Sequence, residues 1–181
     1  VYVFARIVDE LGRLRPDIPI LVVESRGTEG TVADCGIDLA RHGTIHFMGR
    51  TNDPRLFWSL TRVCLMPSLW WENQPLVAVE AMTNGIPVIA SDRGGTPETL
   101  GRAGIVLALP GWMTAKTRVL PTPREVSHWV EAIVGLWDDR ELYEEQRLKA
   151  LGESQRWEAS TIEAVHDDFF RRIASRSRLD D

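Results

Sequence analysis

Residues 68–98, Ser68-Leu-Trp-Trp-Glu72-Asn-Gln-Pro-Leu-Val-Ala-Val-Glu80-Ala-Met-Thr-Asn-Gly85-Ile-Pro-Val-Ile-Ala-Ser91-Asp-Arg-Gly-Gly-Thr-Pro-Glu98, decide how this chain folds. Before them, Val63-Cys-Leu-Met-Pro67 is a short apolar run stopped by proline, the pattern of a buried strand ending at its carboxyl edge. Leu76 to Asn84 reads as a helix, with Val77, Ala81 and Asn84 on one face and Leu76, Val79 and Met82 widening the apolar stripe. Asn73 or Gln74 is expected to cap its first turn, Pro75 stands where a helix accepts proline, and Gly85 with Pro87 ends it. Pro87 to Ser91 is a second buried strand, Asp92-Arg-Gly-Gly95 a turn, and Thr96-Pro97 a new helix start. Strand, loop, helix, strand, loop and helix in that order predict a parallel sheet of α/β type.

Two carboxylates mark this unit. Glu72 falls in the loop before the helix and Glu80 on its second turn, roughly 8–12 Å apart at about 1.5 Å of rise per helical residue. That spacing is too wide for a shared proton and suits groups on either side of a diphosphate. Unpaired N–H groups and the positive end of the helix dipole lie between them. The competing reading is a solvent-facing loop glutamate and an unrelated one on a helix flank.

The combination around them resembles the donor-site signature of retaining GT-B glycosyltransferases of the family-four, group 1 type. It comprises Pro67-Ser68, Glu72 and Glu80 with seven residues between, Glu80-Ala-Met82, Gly85-Ile-Pro-Val88 and Gly94-Gly-Thr-Pro-Glu98. The likeness extends more loosely from residue 1 to about 108. It implies a Rossmann-like parallel sheet flanked by helices, the C-terminal half of a GT-B enzyme, spanning residues 1–122, with a helical extension over 123–181 packed on the same domain. It also implies a nucleotide diphosphate sugar as substrate and transfer with retention to an acceptor that the sequence does not name.

In that family pattern Glu80 accepts hydrogen bonds from the ribose, and Glu72 holds a donor-sugar hydroxyl and orients the sugar without acting as a nucleophile. Backbone groups around Asn73, Gln74, Leu76 and Val77 face the diphosphate. Ser68 is a candidate for a phosphate or ribose contact, or a cap at the start of its loop. Arg50, in the loop after the strand Thr44–Met48, approaches the base or a phosphate, or is simply solvated. No Asp-x-Asp occurs, so neither a metal site nor another cofactor is suggested. A nucleotide-sugar 2-epimerase of the same fold and a non-catalytic nucleotide-sugar-binding module are the alternatives.

Working outward, Val1 to Arg15 is an amphipathic helix with no capping residue before it, and Ile18 to Glu24 a strand of branched residues. An opening on an uncapped helix predicts that a first strand lies outside these residues, and the resemblance implies a phosphate-gripping Arg/Lys loop and an N-terminal acceptor domain outside them as well. Without them the chain alone is expected to be inactive. Arg26 to Gly30 is a polar loop without dinucleotide-fingerprint spacing, and residues 31–42 read as a helix. His46 is expected to pack inside its strand. Asn52 or Asp53 caps a helix over 54–60 with Pro54 at its first position.

Of Trp70 and Trp71, one is expected beneath the loop and the other along the pocket wall. Gly104 to Leu109 forms a last strand, residues 110–122 a surface loop, and Pro123–Trp137, Arg140–Trp157 and Thr161–Arg176 three helices.

The 181 residues, 44% of them hydrophobic, suffice for one packed domain. A net charge of −5 argues against a nucleic-acid surface. Cys35 and Cys64 have no metal-ligand spacing, which fits reduced thiols in a cytoplasmic protein. Arg171, Arg172, Arg176 and Arg178 form a basic run suited to an anionic membrane surface, or to a solvated helix end.

Overall fold

A computed structural model describes residues 1–23, 32–37 and 42–177. The elements, in chain order, are α1 (Tyr2–Leu14), β1 (Ile20–Val23), β2 (Ile45–Met48), α2 (Arg55–Trp58), β3 (Cys64–Met66), α3 (Leu76–Thr83), β4 (Val88–Ser91), α4 (Thr96–Leu100), β5 (Ile105–Leu107), α5 (Pro123–Asp138), α6 (Arg140–Ser154) and α7 (Ala159–Ser177). All strand pairs are parallel, as the alternation of strands and helices predicts. They form two groups, β1 beside β2 and β3-β4-β5, with no pairing between β1 and β3.

β4 shows how the core is divided. Its four residues are all buried, the mark of a strand covered on both faces. With the period of two of a strand, Ile89 enters one apolar cluster while Val88 and Ala90 enter another. The first cluster joins Val3, Ile7 and Leu11 of α1 to Val126, Trp129, Ile133 and Leu136 of α5. The second joins Ala78, Ala81 and Met82 of α3 to Trp58, Leu100 and Ala150.

α5 starts on a reciprocal cap: the Glu125 N–H donates to the Thr122 hydroxyl at 3.4 Å, and the Thr122 N–H to the Glu125 carboxylate at 2.8 Å. At their other ends α1 and α5 are tied by Arg15 and Asp138, 2.6 Å apart.

Several local expectations change. Residues 32–34 are helical but the chain turns at Cys35-Gly36, where Gly36 has φ +74, so one helix does not run over 31–42. Residues 31 and 38–41 lie outside the described set, as do Arg26–Gly30, Arg178 and the terminal aspartates. His46 is exposed rather than packed, on a strand that pairs only with β1 among the described residues. α2 is shorter than 54–60. Pro54 is its N-cap, and the Asp53 carboxylate accepts from the Arg55 N–H at 3.1 Å.

The loop before α5 is not wholly on the surface, since Met113 is 1% exposed and lies in the first core cluster. Cys35 and Cys64 are free thiols. Arg171 and Arg172 pair with Asp167 and Asp168 one turn earlier, on an exposed helix. Among the described residues no helix is long and apolar enough to cross a membrane.

Candidate functional site

The site is built on the loop from β3 to α3. β3 stops at Met66 before Pro67, and the chain then folds back on itself. The Glu72 N–H donates to the Trp70 carbonyl at 3.1 Å, and the Ser68 hydroxyl donates to the Glu72 carboxylate at 2.8 Å. Ser68 is itself held, because the buried Ser91 hydroxyl on β4 donates to its carbonyl at 2.7 Å. The Ser68 side chain thus fixes Glu72 and also accepts from the Trp70 N–H at 3.3 Å.

The turn after β4 holds the same loop from its other side. The Gly95 N–H donates to the Glu72 carbonyl at 2.6 Å. A Cβ on Gly95 would lie 2.0 Å from the Asn73 carbonyl oxygen, and one on Gly94 would lie 2.2 Å from that of Glu72. Gly94 also has φ +58, a conformation that side-chain-bearing residues rarely adopt. The Gly-Gly pair therefore allows the β4–α4 turn to press directly on the Glu72 backbone.

α3 then presents its first turn. Pro75 is the N-cap and no side chain caps the helix; Asn73 and Gln74 are both exposed and do not cap it. The Ala78 N–H reaches back to the Pro75 carbonyl at 3.0 Å. The N–H groups of Leu76 and Val77 have no acceptor among the described residues, as expected at a helix start.

The apolar stripe is also placed differently. Ala78, Ala81 and Met82 are buried, whereas Leu76 is 65% and Val77 43% exposed. Small alanines let α3 lie close on the sheet, which turns the two larger residues at its start outward. Trp70 and Trp71 are likewise both exposed, at 67% and 73%, and Leu69 is the residue that packs beneath the loop.

Glu80 is on the exposed flank of α3. The indole N–H of Trp58, a core residue, donates to its carboxylate at 3.3 Å. Burial, with the Glu80 charge nearby, pushes the Cys64 thiol up to about 12. Glu72 and Glu80 are therefore each held by one hydrogen-bond donor, Ser68 and Trp58, with the α3 start between them in the chain. Arg50 is exposed after β2 and, among the described residues, makes no hydrogen bond or ion pair. It is not brought to the Ser68–Glu80 group by any contact.

An open cavity of about 390 Å³ borders Ser68 and Glu72, with Val1, Val22, Val23 and Met66 on its other walls. Beside it, one of about 300 Å³ is lined by Ser68, Trp70, Thr117 and Arg118. Arg118 escapes a sequence reading because it belongs to an irregular loop far along the chain. Its guanidinium donates to the carbonyls of Ala115 and Thr117 at 3.0 and 2.9 Å. Trp58 and Ser91 also escape it. Their roles depend on which elements become neighbours, and nothing local in the sequence signals that.

Residues 4–139 match the model of a family described as glycosyl transferases group 1. An exopolysaccharide phosphotransferase of Streptomyces coelicolor is 27% identical over 138 residues, 76% of this chain and 14% of that protein. Among solved structures, a glycosyltransferase from Rickettsia africae superposes with a TM-score of 0.72 at 14% identity, covering 96% of this chain and 45% of the other. Anabaena HepE, solved in complex with UDP and glucose, gives 0.71 at 19% identity over 92% and 44%. At such identities the structural likeness speaks for the fold, and this chain spans less than half the length of each of these proteins.

Proposed function

The chain belongs to the group 1 glycosyl transferases, and we propose that it is the donor-binding half of such an enzyme, taking a nucleotide diphosphate sugar and working with an N-terminal half that holds the acceptor. The observation that carries this is the start of α3. Two free N–H groups, of Leu76 and Val77, stand between a Glu72 locked by Ser68 and a Glu80 held by Trp58.

Each part has a chemical task in this reading. The N–H groups and the helix dipole take the diphosphate and stabilise the negative charge that grows on it as the sugar departs. Asn73 and Gln74, exposed in the loop, contribute backbone groups to the same anion. Glu80 accepts from the ribose hydroxyls, and Glu72 accepts from a hydroxyl of the donor sugar and so places the anomeric carbon. The transfer proceeds with retention. Arg118 lines the cavity beside Ser68, and Arg50 stands at the edge where the base is expected. The exposed apolar residues Val165, Phe169, Phe170 and Ile173 of α7 offer a face for the N-terminal half.

Sugar transfer by the intact polypeptide, measured with labelled nucleotide sugars, tests this. Glu80→Ala is expected to raise the donor KM with a smaller effect on kcat, and Glu72→Ala to lower kcat with a smaller effect on KM. Equal donor affinity for wild type and the Glu80 variant would refute the ribose role. Binding without any turnover by the intact polypeptide would favour a non-catalytic binder.

A further inference from the structure

We propose that the cavity between Trp70 and the loop before α5 is an acceptor subsite for a pyranose ring that carries a negative charge, a carboxylate or a phosphate. The assignment rests on the donor reading of Glu72 given above. The cavity, of about 300 Å³, has Tyr2 and Trp70 as aromatic walls and Thr117 with Arg118 as polar ones. Aromatic surface beside a few placed polar groups is the make-up of a small-ligand cleft. Neither α3 nor Glu80 borders it, which sets its occupant apart from the nucleotide.

The loop is pinned firmly enough to act as a wall. Met113 is 1% exposed in the core, and the Arg93 guanidinium, from the β4–α4 turn, donates to its carbonyl at 3.2 Å. The Trp112 indole N–H donates to Glu125 at 2.6 Å, and the Arg6 guanidinium to the Pro121 carbonyl at 2.8 Å. Between these anchors the Thr117 N–H donates to the Thr114 carbonyl at 2.9 Å and the Thr114 N–H to the Thr117 hydroxyl at 2.8 Å, closing a turn. Trp70 is fixed from its own side, because its N–H donates to the Ser68 hydroxyl that also holds Glu72. One side chain thus registers the indole to the carboxylate that places the donor sugar, and a ring stacked on Trp70 lies beside that sugar.

Arg118 supplies the preference for charge. Its Nη1 donates to the Ala115 and Thr117 carbonyls, which leaves the Nε–Nη2 edge without an acceptor among the described residues. That edge is the planar fork that grips a carboxylate or phosphate by two hydrogen bonds. Acids are plentiful in a chain of net charge −5, and Arg6, Arg13 and Arg15 each meet one. Asp34 lines an adjoining cavity with Arg118 and does not pair with it. The indole of Trp70, 67% exposed, offers a flat apolar face to the C–H face of a pyranose, and Thr117 offers a hydroxyl to its edge.

Binding to the intact polypeptide tests this, by calorimetric titration and by the magnetic resonance signal of the Trp70 indole N–H. The probes are methyl glucuronide, glucose 6-phosphate, the neutral methyl glucoside and inorganic phosphate, beside a parallel titration with UDP, GDP and ADP. The glucuronide, the sugar phosphate or both are expected to shift the Trp70 signal and to bind at least about tenfold more tightly than the neutral glucoside or phosphate alone. Which of the two binds identifies the charge as carboxylate or phosphate. Arg118→Gln is expected to remove the preference for charge and Trp70→Ala to weaken every glycoside, with nucleotide affinity within about threefold of wild type in both. Equal affinity for charged and neutral glycosides, no shift at Trp70, or a loss in Arg118→Gln confined to the nucleotides would overturn the proposal. The expected glycoside pattern in a protein that binds no nucleotide would uphold the subsite and refute the donor reading instead.

Discussion

Gly95→Ala tests whether the β4–α4 turn holds Glu72 in place. Gly95 has φ −80, a conformation alanine adopts freely, so the substitution introduces little backbone strain and its effect is steric. The new Cβ would lie 2.0 Å from the Asn73 carbonyl oxygen. A carbon needs about 3.3 Å from such an oxygen, so the loop must retreat by more than about 1 Å. That displacement breaks the bond from the Gly95 N–H to the Glu72 carbonyl and strains the packing around it, for a loss of about 2 kcal/mol. In a chain of this size the midpoint of thermal unfolding should fall by about 4–8 °C.

Because a displacement of about 1 Å in a positioned group can cost about 100-fold in rate, kcat of the intact enzyme should fall by about that factor. Nucleotide affinity, which the proposed function assigns to α3 and Glu80, should change less than about threefold. Gly111→Ala is the control, as nothing lies within 4 Å of its added carbon. An unfolding midpoint and kcat equal to those of wild type in Gly95→Ala would refute the reasoning.

Trp58→Phe keeps the aromatic packing and removes the donor to Glu80, so nucleotide affinity should fall about three- to tenfold in calorimetric titration. Trp58→Phe binding as tightly as wild type would show that the bond does not position Glu80. The Trp112 indole N–H, followed by the Thr122 backbone and hydroxyl, holds the Glu125 carboxyl below the usual glutamate range. Its folded pKa is lower than its unfolded one, so its contribution is complete above about pH 4.5 and is lost as pH falls through the lower folded value. Thermal unfolding followed down to about pH 3 should show a shallower acid loss for Glu125→Gln than for wild type. The buried Cys64 thiol, pushed up to about 12, should resist alkylation at neutral pH until the protein unfolds, as mass spectrometry would show.

Where residues signal through their own neighbourhood in the chain, the sequence was informative. Pro67 and Gly85 with Pro87 bracket β3, α3 and β4 by local backbone chemistry, and the observed bounds follow them. Asp92-Arg-Gly-Gly95 reads as a turn, and the chain turns there after β4.

What was not legible depends on tertiary neighbours. Leu76 and Val77 have the hydrophobicity of core residues, but alanines at 78 and 81 take the sheet-facing positions. Trp70 and Trp71 are exposed because Leu69 already fills the space beneath the loop. His46 is exposed on a strand that pairs only with β1 among the described residues, and a strand's place in the sheet order is not written in its own residues. The donors that fix the two carboxylates divide in the same way. Ser68, four residues from Glu72, was in view, whereas Trp58 reaches Glu80 from another element.

The central claim, that the start of α3 with Glu80 binds a nucleotide diphosphate, is tested most directly by calorimetric titration. The intact polypeptide is titrated with UDP, GDP and ADP beside its Glu80→Ala variant. The account predicts binding that favours one base and weakens at least about tenfold in the variant, the loss of a charged hydrogen-bond acceptor to the ribose. Equal affinity of both proteins for every nucleotide, or no binding by the wild type, would contradict it.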